Sequence, residues 1–269
     1  MFSMLRFTGF ALLAAALSTT ARAETINCTV MSLPFTITAP GIYCLNASAS
    51  VAGNAIMIDA DDVVVDLNGH AISGSGGGVG IQSTDEKNIT IRNGTVRGFA
   101  WGIALGNAGT GDSYVVEHMR VENSADVGLS IVGRGAVVRH NKLIGNGGTP
   151  GPGARYGINV SGPGSHVHDN EVVDTGLGAP GEVDAIRVAF ASGSVVQRNV
   201  VANSAAAGPF SRGILFMKAT GSAAVGNRIN GMAIGIQFSG SGIYMDNTVG
   251  GAATPFSGGT AAGGTNFSF

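Results

Sequence analysis

A four-residue pattern returns along this chain: a small residue, an apolar residue, a variable one, and a second apolar one. It begins at Ala55-Ile56-Met57-Ile58 and recurs at Gly102-Ile103-Ala104-Leu105, Gly128-Leu129-Ser130-Ile131 and Gly157-Ile158-Asn159-Val160. Ala185-Ile186-Arg187-Val188, Gly213-Ile214-Leu215-Phe216 and Gly235-Ile236-Gln237-Phe238 continue it, with Gly80-Ile81-Gln82-Ser83 as a weaker member. Successive starts lie 22 to 29 residues apart. Inside each repeat a second signature follows, an apolar run closed by Asn. Examples are Val63 to Asn68, Ile89 to Asn93, Val137 to Asn141, Val167 to Asn170 and Val195 to Asn199. Val225-Gly226-Asn227 and Met245-Asp246-Asn247 repeat it, and the run from Val115 puts Met119 in the Asn slot.

Runs this short, this rich in Val and Ile, and this often broken by Gly or Asn are strands, not helices. A repeat of this length with two or three short strands fits one turn of a parallel β-helix, whose coils stack at about 4.8 Å. Ile and Val then pile up inside, and the Asn column forms an amide ladder at a turn. An antiparallel sandwich or propeller is the competing architecture. Asn68-Gly69 and Asn93-Gly94 are hairpin dipeptides, but no regular hairpin alternation follows them.

Composition agrees. Glycine supplies 44 of 269 residues while charged residues make up 12%. Long amphipathic helices need charged outer faces and tolerate glycine poorly. Collagen would need a strict Gly-X-Y period. Disorder is excluded by 44% hydrophobic residues and a net charge of -2, and that charge also argues against a nucleic-acid binder. Scarce charge suits a stack, because like charges at one position of successive coils repel.

Residues 1–23 read as a leader: Arg6 near the start, an apolar stretch from Phe10 to Leu17, and Ala21-Arg22-Ala23 as a cleavage site. The expectation is an exported protein, periplasmic or extracellular. The apolar run is too short to span a membrane, and none of about 20 apolar residues occurs later. Cys28 and Cys44 are the only cysteines; in an oxidising compartment so close a pair is expected to be a disulfide. Residues 24–54 read as an N-terminal cap carrying that bond, 55–254 as a solenoid of about eight coils, and 255–269 as a C-terminal tail.

The stretches Ile37-Thr38-Ala39-Pro40-Gly41-Ile42-Tyr43-Cys44-Leu45, Val63-Val64-Val65-Asp66-Leu67-Asn68-Gly69-His70 and Ile89 through Phe99 give the pattern a family likeness. It resembles secreted right-handed parallel β-helix repeat proteins of the pectate-lyase-like superfamily. The resemblance implies an all-β, single-stranded, right-handed solenoid. It also implies a pool of functions: polysaccharide lyases, hydrolases, epimerases and non-catalytic binders. No catalytic residue carries over. The Arg-x-Pro-x-x-Arg pattern of pectate lyases, the Asn-Thr-Asp and Arg-Ile-Lys signatures of polygalacturonases and the Asp-Pro-His-Asp run of alginate epimerases are all missing. Asp61-Asp62 is similar to the paired aspartates of β-helix glycosidases, but acidic residues at the start of a coil are also ordinary turn residues.

Stacking the repeats brings two clusters together. The variable residue and the one before the small residue point outward. The outward columns read Ala104, Ser130, Asn159, Arg187, Leu215, Gln237 and Trp101, Val127, Tyr156, Asp184, Arg212, Ile234. Tyr156, Asn159, Asp184, Arg187 and Arg212 therefore share three neighbouring rungs. Insertions at 145–156, 174–184 and 203–212 precede the same strands and are placed to wall a groove. Arginine pairs bidentately with uronate carboxylates, an aromatic ring stacks on a sugar face, and a carboxylate serves as base or Ca²⁺ ligand. The plain alternative is a surface ion-pair network of Asp184 with Arg187 and Arg212. In the second cluster Glu117, Arg139 and His168 fall in one column and His118, His140 and Asp169 in the next. His166 and His168 face one side of a strand, and with His140 or Glu117 they make a candidate metal set. Periplasmic copper-processing proteins share the fold, which makes copper the metal of interest by analogy.

The residues thus support an exported β-helix protein that binds an acidic polysaccharide along the Tyr156–Arg212 face, with or without cleaving it there. Ca²⁺ is the cofactor expected if it is a lyase. The alternatives are a non-catalytic structural or interaction protein of the cell envelope and, more weakly supported, a periplasmic metal-binding β-helix.

Overall fold

The computed structural model describes residues 25–107, 111–148, 155–177, 181–205 and 208–269. The leader reading of 1–23 lies outside them, as do the central parts of the three insertions. Among the described residues the regular structure is all β, and the strands pair in parallel with the next coil. The chain is a parallel β-solenoid with three faces.

All eight strands expected from the repeat form one face, from Ile56–Ile58 through Val79–Ser83, Trp101–Leu105, Val127–Arg134, Arg155–Ser161, Val183–Ala189 and Ser211–Met217 to Ile234–Ser239. Phe35–Ile37 precedes this face and Thr254–Ser257 follows it, each in register with its neighbour. The other two faces meet at a corner that Ile89–Arg97 and Val115–Glu122 turn without a break. Hydrogen bonding runs on through residues 29–50 and 254–268, whose strands also stack on adjacent coils.

Register follows from the core. Ile56, Ile81, Ile103, Leu129, Ile158, Ile186, Ile214 and Ile236 form one continuous column, each partner paired to the next, and all are fully buried. Burying each such side chain stabilises the fold by roughly 1.5–3 kcal/mol. A slip of one residue would turn the whole column to water, so the pattern permits one pairing.

The corners solve the backbone's polar problem. Asn141, Asn170, Asn199, Asn227 and Asn247 are buried and form the expected ladder, which Asn266 extends. Each Nδ2 donates to a carbonyl of the preceding coil, and each Oδ1 accepts from the preceding Asn's backbone N–H. Met119 occupies the slot as expected, its N–H donating to Asn141 Oδ1 at 2.9 Å. Asn93 does not. The register pairs Met119 with Gly94 and so puts Asn93 one residue earlier, in the left-handed corner position shared with His118, His140, Asp169 and Asp246. Asn tolerates that backbone region, which explains how the sequence pattern drew it into the wrong column. A serine ladder, Ser165–Ser194–Ser222, works at another corner.

At the N-terminal end the disulfide is present, linking Cys28 and Cys44 with Cα atoms 5.8 Å apart. Nearby, buried Asp66 accepts from Thr25 Oγ1, Arg92 Nε, Asn93 Nδ2 and the Asn68 N–H. No helix among the described residues is long and apolar enough to cross a membrane.

Candidate functional site

The register brings the outward columns together as the repeat requires. Tyr156 pairs with Asp184 and Asp184 with Arg212; Asn159 pairs with Arg187, Arg187 with Leu215 and Leu215 with Gln237. A pocket of about 280 Å³ lies over these rungs, lined by Tyr156, Glu182, Asp184, Arg187, Arg212, Leu215, Met217, Gln237 and Ser239. Four of the five predicted ligand residues line it. Asn159 does not: it is 7% exposed and its amide donates to Ser130 Oγ at 3.0 Å.

The two arginines hold different company. Arg212 Nε donates to Asp184 Oδ1, and its Nη2 donates to Glu182 Oε2 at 2.9 Å. Asp184 is 1% exposed, and burial pushes its carboxyl above the usual range while the Arg212 hydrogen bond works against that shift. Burial also disfavours the charged form of Arg212, but its bonds to Asp184 and Glu182 outweigh this and raise its pKa. The ion pair expected between Asp184 and Arg212 is therefore present.

Arg187 is not part of it. Among the described residues no carboxylate forms an ion pair with it. Its guanidinium lies over the Tyr156 ring, 4.8 Å from the centroid, and Nη1 donates to Tyr156 Oη at 2.7 Å. Burial raises the Tyr156 pKa, with Arg187 pulling the other way. The phenol therefore stays protonated at neutral pH and is a hydrogen-bond donor, not a base. Gln237 Oε1 is buried without a partner among the described residues. An unpartnered acceptor in a pocket costs free energy until a donor fills it.

The groups lining this pocket are of a kind that can bind a ligand. Arg187 Nη1 donates to Tyr156 Oη and Nη2 to Met217 Sδ at 3.4 Å, which leaves its remaining N–H groups for an anion, and Tyr156 adds a hydroxyl. Glu182 and Met217 were absent from the sequence-derived set. Glu182 lies two residues before Asp184, so strand alternation placed it within reach; Met217 closes the end of the strand after Phe216.

The second cluster also stacks as the register predicted, Glu117 with Arg139 and Arg139 with His168. Its charges are satisfied internally. Arg139 Nε donates to Glu117 Oε2 at 2.8 Å, and Asp169 accepts from Arg198 while contacting His168 Nδ1 at 2.7 Å. His118 and His140 stack with ring centroids 5.1 Å apart. His166 is exposed on the strand His166–His168. Among the described residues no three His, Cys, Asp or Glu side chains converge on a metal position. Asp61 and Asp62 cap turns, accepting from the Lys87 N–H and from Asn88 Nδ2.

No family model matches the chain, and no curated protein matches it. Solved structures do. An alginate lyase from a Paenibacillus species aligns over 82% of this chain and 92% of its own, with a TM-score of 0.56 at 13% identity. Tailspike protein 2 of an Escherichia coli bacteriophage aligns over 86% of this chain but 34% of its own, at the same 0.56 and 13%. A surface protein and adhesin of Streptococcus pneumoniae covers 84% of this chain and 68% of its own, with 0.51 at 12% identity. The likeness is one of fold. It bears out the parallel β-helix read from the repeats, and the chain spans about a third of the tailspike's length.

Proposed function

We propose that the chain binds an acidic polysaccharide along the Tyr156–Arg212 face. The observation that carries this is Arg187, a cation held on an aromatic ring inside a pocket, where no described carboxylate pairs with it. A half-buried guanidinium that forms no ion pair with a described carboxylate is available to pair with a ligand carboxylate. Arg212, Asp184 and Glu182 form the wall that fixes the pocket's shape. The alginate lyase of the same fold is named for a uronate polymer, which is the class of ligand that Arg187 fits. Export, suggested by the leader and consistent with the disulfide, would place the protein where such polymers occur.

Binding takes precedence over cleavage. A lyase needs a base to take the proton beside the carboxylate, and the pocket's phenol is held protonated while its carboxylates are engaged by Arg212. Retention on an array of uronate and neutral polysaccharides tests the reading. The native protein is expected on acidic glycans, and Arg187→Ala should lose about tenfold or more in affinity. Equal retention of Arg187→Ala and the native protein would remove the proposed site. Unsaturated product from uronate polymers, with or without Ca²⁺, would make the protein a lyase.

A further inference from the structure

Just past the strand Val183–Ala189, Phe190 is 58% exposed, and its backbone is left-handed at φ 51°. A bulky L-residue in that region is strained by roughly 1–2 kcal/mol. Ser161 pairs with Ala189, Ala189 with Met217 and Met217 with Ser239, so the same turn position holds Gly162 in the preceding coil and Lys218 and Gly240 in the following ones. Glycine fits this turn freely. The coil instead carries a strained, solvent-facing aromatic ring. Lys218 takes the same φ of 51° in the next coil, so the turn accepts side chains, and what sets Phe190 apart is its exposed ring beside a hollow.

Phe190 closes one side of a hollow of about 410 Å³, with Val132, Gly133, Arg134, Ser161, Gly162 and Pro163. The floor must be glycine, because a Cβ on Gly162 would stand 2.1 Å from the Gly133 carbonyl oxygen. Arg134 is at the rim, 70% exposed and held loosely by Asp112 at 3.6 Å. From the next coil Lys218 places its ammonium 5.2 Å from the Phe190 ring centroid. A cation–π contact of this kind props the ring against the solvent.

The hollow and the Arg187 pocket lie along the same face, separated by the rung of buried Ala189. One outward column, Val132, Ser161, Ala189, Met217, Ser239, runs through both; its first two residues line the hollow and its last two line the pocket. Arg187 and Phe190 are three residues apart, about 10 Å of extended chain. That separation suits different units of one oligosaccharide and is too long for a single sugar.

We propose that this hollow is a second subsite for an acidic polysaccharide. Phe190 stacks on the apolar face of one sugar unit and Arg134 pairs with its carboxylate, while Arg187 holds the carboxylate of another unit. The inference rests on acidic-glycan binding at Arg187 and adds that the ligand is an oligomer bridging two subsites. Titration with size-graded oligogalacturonates and alginate oligosaccharides tests it on the native protein, Arg187→Ala, Phe190→Gly and Arg134→Gln. Phe190→Gly suits the turn, and an unchanged circular dichroism spectrum confirms its fold. Native affinity should climb with chain length. Phe190→Gly and Arg134→Gln should each lose about tenfold for the longer chains, and nothing for the shortest that binds. If Arg187→Ala loses binding but Phe190→Gly and Arg134→Gln bind long chains like the native protein, the second subsite is overturned and the first stands. If the native protein binds no acidic oligosaccharide of any length, both fall.

Discussion

Asn199 shows how much one side chain carries in a stack. Its Nδ2 donates to the Val167 carbonyl and to Asn227 Oδ1, and its Oδ1 accepts from the Asn170 backbone N–H and amide. Asn199→Ala leaves at least one buried donor and one buried acceptor without partners, each at about 1–3 kcal/mol. The expected loss is therefore about 3 kcal/mol, read as a lower urea midpoint. Asp66 gives the solenoid a pH dependence. Burial alone would raise its carboxyl pKa, but hydrogen bonds from Thr25, Asn68, Arg92 and Asn93 prevail and hold it below the ordinary value. A carboxylate whose folded pKa lies below its unfolded one stabilises the fold above the unfolded value, about 3.9. That contribution is lost as pH falls from there through the folded pKa. Urea midpoints measured across that window should drop, and Asp66→Asn should flatten the drop.

At the scale of elements, the two ladder corners differ in how openly the sequence announces them. The Asn ladder was legible because Asn stands at the same offset after each apolar run, from Asn141 to Asn247. The serine ladder was not, since Ser165, Ser194 and Ser222 look like ordinary loop residues until their coils stack. Asn93 was misplaced for a related reason: one residue of register separates a ladder amide from a left-handed corner, and both positions suit Asn. The first coil has a covalent support in Cys28–Cys44, spanning a separation of 16 residues. Its bond limits the unfolded chain, so reduction should lower stability by about 3 kcal/mol in the chain-entropy description. Chemical unfolding with and without reductant measures this. The loss should be confined to the N-terminal coils, seen as faster amide exchange at Gly41–Cys44 than at Ser211–Met217.

For the whole molecule, a solenoid's weakness is its two open ends. Thr254–Ser257, Thr260–Ala261 and Phe267–Ser268 cover the last full coil, strand by strand. Phe256 stacks on Tyr244 at 4.9 Å, and Phe216 stacks on Phe238 at 4.2 Å just beneath. Ending the chain at Gly251 would bare those rings and three strand edges. Size-exclusion chromatography of that truncation should show concentration-dependent self-association, and a monomer of native stability would contradict the covering role.

The repeat by itself determined the fold, because a buried apolar column recurring every coil allows one register and one direction of stacking. It also put Tyr156, Asp184, Arg187 and Arg212 on shared rungs, since position within a repeat fixes position on a face. Only the tertiary structure decided which of those charges is engaged. Asp184 and Glu182 both turn to Arg212, leaving Arg187 on the Tyr156 ring, and Asn159 turns to Ser130 while Gln237 lines the pocket. Those outcomes depend on side-chain rotamers and on neighbours from other coils, and a linear pattern fixes the column in which a residue stands but not the partner it chooses.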